Sequence, residues 1–166
     1  MQWFTLPLIA LSLMTLPHAG AWGQAPARLV VTSESGEVLI DDAVMEDGRW
    51  CMAWNHSVAH FTVLDCYRNQ QGQMVLERSH QPDFAAGLGH IAGRGEQVSD
   101  GEGGYWINAI DEPVPGNRYL LRAGAPAVNH RIVWPDGEHE PSSISERAAG
   151  ERVTVELAPS SSANAD

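Results

Sequence analysis

Residues 50–67, WCMAWNHSVAHFTVLDCY, carry bulky apolar side chains at alternate positions on both sides of a short polar break. A β-strand turns successive side chains to opposite faces. Trp50, Met52, Trp54 and His56 therefore share one face of a first strand, and Phe61, Val63, Asp65 and Tyr67 one face of a second. Pairing Trp54 with Val63 sets Trp50 opposite Tyr67 and Cys51 opposite Cys66, and leaves Ser57-Val58-Ala59-His60 as a hairpin loop of ordinary length. A folded-back pair of this kind commits the chain to a sheet.

The rest of the sequence repeats the same grammar. Short β-like runs are expected at Arg28–Thr32, Glu37–Asp41, Arg49–Asn55, Phe61–Tyr67, Met74–Arg78, Tyr105–Ile110, Arg118–Arg122, His130–Trp134 and Arg152–Leu157. Turn pairs such as Ser35-Gly36, Asp47-Gly48, Gln71-Gly72, Pro115-Gly116 and Asp136-Gly137 separate them. Short, evenly spaced strands with such punctuation point to an all-β fold, a single sandwich or partly closed barrel of antiparallel strands. Helix is expected only over about two turns in Ser142–Ala149, with Ser143 as N-cap.

The first twenty-one residues contain no Lys, Arg, Asp or Glu, run apolar from Trp3 to Leu16, and offer small residues at Ala19-Gly20-Ala21. This is the pattern of a secretory signal peptide. Pro7 interrupts the run, which falls short of the ~20 apolar residues of a membrane-crossing helix, so an uncleaved anchor is the weaker alternative. The reading is a signal peptide over 1–21, a linker over 22–27, an all-β domain over 28–158 and a disordered polar tail over 159–166. The expected location is the periplasm, with no stable membrane span in the mature chain. The formal net charge of −11 lies entirely outside the leader and repels phosphate backbones, which argues against nucleic-acid partners.

Compartment bears on the cysteines. Directly opposed residues of a non-hydrogen-bonded pair approach closely enough for a disulfide, and an oxidising compartment preserves one. Two buried, reduced thiols are the other reading; export favours a Cys51–Cys66 bond. Between Gln81 and Gly104 the pattern changes to DFAAGLGHIAGRGEQVSDGEGG, rich in glycine. A long stretch of this kind is a functional loop or a plain surface excursion. Gly87-Leu88-Gly89 lacks the strand, Lys and Ser/Thr that a phosphate loop needs.

Asn55-His56-Ser57-Val58, an acid at Asp65, and Tyr67 resemble the opening motif of the domain of unknown function 1850 family. Phe84-Ala85-Ala86-Gly87-Leu88, Gly104-Tyr105-Trp106, Leu121-Arg122-Ala123-Gly124 and His130-Arg131-Ile132 continue the likeness in order, over about Trp50 to Leu157. Three positions depart from the pattern: Asp65 stands for Glu, Ala85 for Gly and Gly89 for Pro. The shorter acid retracts its carboxylate by about 1.5 Å. The resemblance implies a small exported β-protein, often encoded beside tripartite ATP-independent (TAXI-type TRAP) transporters. It brings no catalytic or ligand-binding residues.

Candidate chemistry gathers at the hairpin. His56, Ser57 and Asp65 have the side chains of a hydrolytic triad, but neighbours 56 and 57 face opposite ways on a strand, and no Gly-x-Ser-x-Gly elbow is present. His56, His60 and Asp65 would suit a zinc or copper ion, though no His-x-His or His-Glu-x-x-His pattern supports it. Arg122 can grip a carboxylate bidentately, either a ligand's or one of the chain's own, such as Asp65 or Glu77. The expectation is a non-enzymatic accessory or binding protein of a TAXI-type transporter. It needs no cofactor, and it binds a solute or transporter component through His56, Ser57, Asp65, Gly87 and Arg122. The alternative is a periplasmic metal-dependent or hydrolytic enzyme built on His56, His60 and Asp65.

Overall fold

The structure is a computed structural model, and it describes residues 26–56, 61–82, 93–135, 137 and 139–160. Two antiparallel sheets face each other as a sandwich without closing into a barrel. The smaller sheet has the order β2 (Val38–Val44), β1 (Ala27–Ser33), β12 (Arg152–Ala158), β9 (Arg118–Arg122). The larger sheet runs β11 (Ser142–Ser143), β10 (Arg131–Val133), β3 (Arg49–Asn55), β4 (Thr62–Gln70), β5 (Gln73–Pro82), β7 (Gly104–Asn108), β6 (Glu96–Ser99). Strand β8 (Glu112–Pro113) adds a short pairing to β5.

Alternation places the core. In β1 the buried residues are Ala27, Leu29, Val31 and Ser33, and in β12 Val153, Val155 and Leu157, each two apart. From the larger sheet Trp50, Met52, Tyr67, Met74 and Ile132 meet them, and Ile144 and Ala148 close one end. The helical segment is shorter than expected: α1 covers Ser145–Ala148, preceded by Ile144. Ser143 still accepts the Glu146 N–H at 3.2 Å through its hydroxyl. Among the described residues, no helix is long and apolar enough to cross a membrane.

The expected hairpin is present in the expected register: Trp50 faces Tyr67, Cys51 faces Cys66 and Trp54 faces Val63. Cys51 and Cys66 are joined by a disulfide across Cα atoms 4.0 Å apart. That separation belongs to the close, non-hydrogen-bonded kind of pair. Gln71 and Gly72 take φ of 54° and 79° in the β4–β5 turn, the sign both central residues of a type I′ hairpin need.

A bulge between Cys66 and Tyr67 makes Cys66 face Arg78 and Tyr67 face Leu76. Glu77 is the extra residue, and its carboxylate receives Arg49 bidentately at 2.8 and 2.9 Å, with Arg68 3.8 Å away. These ion pairs hold the Glu77 carboxyl below its ordinary range. The stretch read as one long loop from Gln81 to Gly104 is partly sheet, since β5 continues to Pro82 and β6 lies within it. Residues 83–92, including Gly87, lie outside the described residues, as do the 1–21 segment read as leader, residues 22–25 of the 22–27 linker and residues 161–166 of the tail, whereas Ala27, read as linker, already belongs to β1.

Candidate functional site at Asp65

The two sheets differ in width, and the difference makes the site. Beyond β9, the edge of the smaller sheet, the inner face of β4, β5 and β7 runs on. There Asp65 faces Ser79 across β4–β5, and Ser79 faces Ile107 across β5–β7. Gln81 is two residues beyond Ser79 on the same face. The Gln81 side-chain amide donates to Ser79 Oγ at 2.5 Å, and Ser79 Oγ donates to Asp65 Oδ1 at 2.6 Å. The relay aims donors at one oxygen of the carboxylate.

Aromatic rings wall the other side. Trp50 stacks on Tyr67 with ring centroids 5.9 Å apart, and Tyr67 on Tyr119 of β9 at 5.4 Å. Burial beside Asp65 raises the phenol pKa of both tyrosines, whose hydroxyls interact with one another. Gln81 Oε1 is buried and has no hydrogen-bond partner among the described residues. Arg94, held bidentately by Glu112 at 2.8 and 2.9 Å, lies near enough to act electrostatically on Asp65 and Tyr67. Gly95 admits this approach: its φ is 68°, and a Cβ there would stand 2.5 Å from the Asn108 carbonyl oxygen.

Burial raises the Asp65 carboxyl above its ordinary 3.8, against the Ser79 hydrogen bond and the Arg94 charge, which both favour the ionised form. The ionised carboxylate therefore weakens the fold at neutral pH. Its surroundings suit a group that donates hydrogen bonds, because a carboxylate and the Gln81 amide oxygen both accept them.

The other sequence candidates lie elsewhere. Asp65 pairs with Met52, so His56 is four positions further along the hairpin, ~13 Å at strand spacing, where its N–H donates to the Phe61 carbonyl at 2.8 Å. Asp65 takes its hydrogen bond from Ser79, not from His56. Ser57, His60 and Gly87 lie outside the described residues. Arg122 faces Arg152 on the smaller sheet. Of its suggested acids, Glu77 pairs with Arg49 and Arg68 and Asp65 accepts from Ser79. Among the described residues no three His, Cys, Asp or Glu side chains converge as a metal site would require.

Most other motif positions have structural explanations. Asn55 ties the hairpin to the 125–129 turn: its N–H donates to the Val128 carbonyl at 2.7 Å and its amide to the Ala127 carbonyl at 3.2 Å. A Cβ on Gly104 would stand 2.5 Å from Asp100 Oδ2 and 2.8 Å from the Gln81 carbonyl oxygen; one on Gly124 would stand 2.6 Å from Val128 Cβ. On the outer face, His80 bonds Asp100 at 2.8 Å and stacks on Trp106, fastening the β6–β7 turn.

The Gly124 N–H donates to His130 Nδ1 at 2.9 Å, so that ring nitrogen is an acceptor and the imidazole is neutral. Burial lowers the His130 pKa below 6.5. The unfolded chain thus takes up a proton first as pH falls, and stability drops from about pH 6.5 downward through the folded-state value. His130→Asn, whose amide oxygen can replace Nδ1 as acceptor, should flatten the curve of unfolding midpoint against pH between 5 and 7. Parallel curves for the two proteins would show that another group titrates.

Ser79, Gln81 and Arg94 were not singled out in the sequence. The first two carry a period-two signal, lying two apart on one strand, but nothing in the sequence says that β9 delivers Tyr119 from the opposite sheet. The sequence profile of the family described as Domain of unknown function (DUF1850) matches residues 51–140, more than half of the chain. No curated protein and no solved structure matches the chain. With its hairpin, glycine positions and Asp65 inside the matched span, the chain belongs to the DUF1850 family.

Proposed function

We propose that the chain is a non-enzymatic binding protein of the cell envelope, accessory to a TAXI-type solute transporter, which holds a small solute rich in hydrogen-bond donors at Asp65. One observation carries the binding half of this reading: a carboxylate that costs the fold stability is braced by Ser79 and Gln81 beside a Gln81 amide oxygen that is buried without a partner among the described residues. A purely structural position would not need the charge, since an uncharged amide accepts the same Ser79 hydrogen bond. Destabilising polar groups of this kind concentrate at functional sites. The envelope and transporter half rests on the apolar N-terminal segment and on the setting that the family resemblance implies.

Asp65→Asn tests the reading. The variant should unfold at a higher midpoint than the wild type at pH 7, and the gap should close as pH falls below 3.8, where the wild-type carboxyl is protonated in both states. Native mass spectrometry of the protein released from envelopes should show a small-molecule adduct on the wild type and none on the folded variant. Crosslinking in the same envelopes should retain a transporter component. Identical masses for both proteins, with no transporter component crosslinked, would remove the proposal.

A further inference from the structure

The outer face of the smaller sheet runs against the charge of the whole chain. All ten basic residues of this −11 chain are arginines, and half are spent on the chain's own acids: Arg28 on Asp41, Arg49 and Arg68 on Glu77, Arg94 on Glu112, Arg147 on Glu37. Arg118, Arg122 and Arg152 are exposed, and no hydrogen bond or ion pair engages them among the described residues. Arg122 and Arg152 face one another directly across β9–β12, and Arg118 faces Glu156 without an ion pair. Like charges set directly opposite weaken a sheet. Between the two β9 arginines Leu120 stands 70% exposed. Beside it Pro115, Arg118, Tyr119, Leu120 and Thr154 line an open hollow of about 530 Å³.

The backbone of the same residues is open. Strand β9 ends the smaller sheet and pairs only with β12 among the described residues. The Ala123 N–H donates to the Glu151 carbonyl at 2.9 Å. By the alternation of an antiparallel ladder, Leu121 and Tyr119 then bond to β12, whereas Arg118, Leu120 and Arg122 turn their N–H and C=O groups to the free side. An exposed edge with a row of such groups is a template for an added strand.

We infer that β9 is a docking edge for an extended acidic segment of a partner protein, which adds as a fifth strand with acids opposite Arg118 and Arg122 and an apolar residue opposite Leu120. A second copy of this chain fits poorly. Pairing β9 with its equivalent about Leu120 would set Arg118 against Arg122 twice, and the two bodies carry the same large negative charge. This edge belongs to the sheet opposite Asp65, so its failure would leave the solute-binding reading standing.

The probe is a blocked peptide, Thr-Glu-Thr-Val-Thr-Glu-Thr, with a Lys-for-Glu counterpart and a scrambled peptide of the same composition. Isothermal titration against the full chain should show the Glu peptide binding at least tenfold tighter than either control and weakening as salt is raised. Leu120→Asp, at an exposed position, and Arg122→Glu should each lower the affinity tenfold or more, with an unfolding midpoint at the wild-type value for Leu120→Asp and at or above it for Arg122→Glu, whose acid faces Arg152. Equal binding of the scrambled peptide would reduce the effect to bulk charge and overturn the inference, as would an affinity unchanged by both variants. Sedimentation showing a dimer that Leu120→Asp dissolves would assign the edge to a second copy instead.

Discussion

Trp50→Ala should be the most damaging single substitution in the hairpin, costing about 3–5 kcal/mol. Trp50 is fully buried, at 0% exposure, in the main core, and stacks on Tyr67, which stacks in turn on Tyr119 of the opposite sheet. Truncation removes apolar contact on both sides and leaves a cavity that a β-sheet, held by its ladder, cannot close. The indole N–H is buried without a partner among the described residues, so the native residue already bears a desolvation cost of about 1–3 kcal/mol. Trp50→Phe relieves that cost while keeping most of the ring, and should lose no more than about half of what Ala loses. Urea unfolding with an unchanged denaturant slope measures both. Equal losses for Phe and Ala would mean that the full shape of the indole, which a phenyl ring does not fill, carries the stability.

Loss of the Cys51–Cys66 bond should be the second largest effect, about 2–3 kcal/mol. The bond closes a sequence separation of 15, for which loop-closure entropy of the unfolded chain gives roughly 3 kcal/mol. The short hairpin connection persists partly in the unfolded ensemble and lowers the figure. Both sulfurs are buried, at 3% and 2% residue exposure, so Cys51→Ala with Cys66→Ala opens little extra space and isolates the crosslink. The wild type should unfold at lower urea when dithiothreitol is present, and the double variant should be indifferent to it. A wild-type midpoint unmoved by reductant would show that the ladder alone holds the hairpin.

How much of this could be read in advance depends on the range of the interaction concerned. Strand positions follow from side-chain alternation within a few residues, and the register at Trp50, Cys51 and Trp54 followed from matching two adjacent strands. The short strands β6, β8 and β11 were not legible. Glu112–Pro113 and Ser142–Ser143 are too brief to show a period, and Glu96–Ser99 carries no apolar alternation. The bulge at Cys66–Tyr67 was also invisible: Glu77 sits in an ordinary alternating run, and only the cross-strand partners reveal it as the extra residue.

For the site, Asp65 was legible as an acid on a core-facing position, an anomaly that any period-two reading exposes. Its partners were not. Expectation drew it to His56 because the two share a face, but sharing a face says nothing of distance along it, and the strand pairing sets them ~13 Å apart.

What the amino-acid order determined by itself was local: an all-β chain, a hairpin from Trp50 to Tyr67, opposed cysteines, and a strongly acidic balance. What tertiary structure alone decided was which faces meet. Sheet order put β9 at an edge with its arginines exposed, and the mismatch in width between the sheets brought Tyr119 over Tyr67 and left Asp65 at the margin of the core. Alternation is a property of neighbours in the chain, whereas burial and charge at Asp65 arise from residues 14 to more than 50 positions away, which no local pattern encodes.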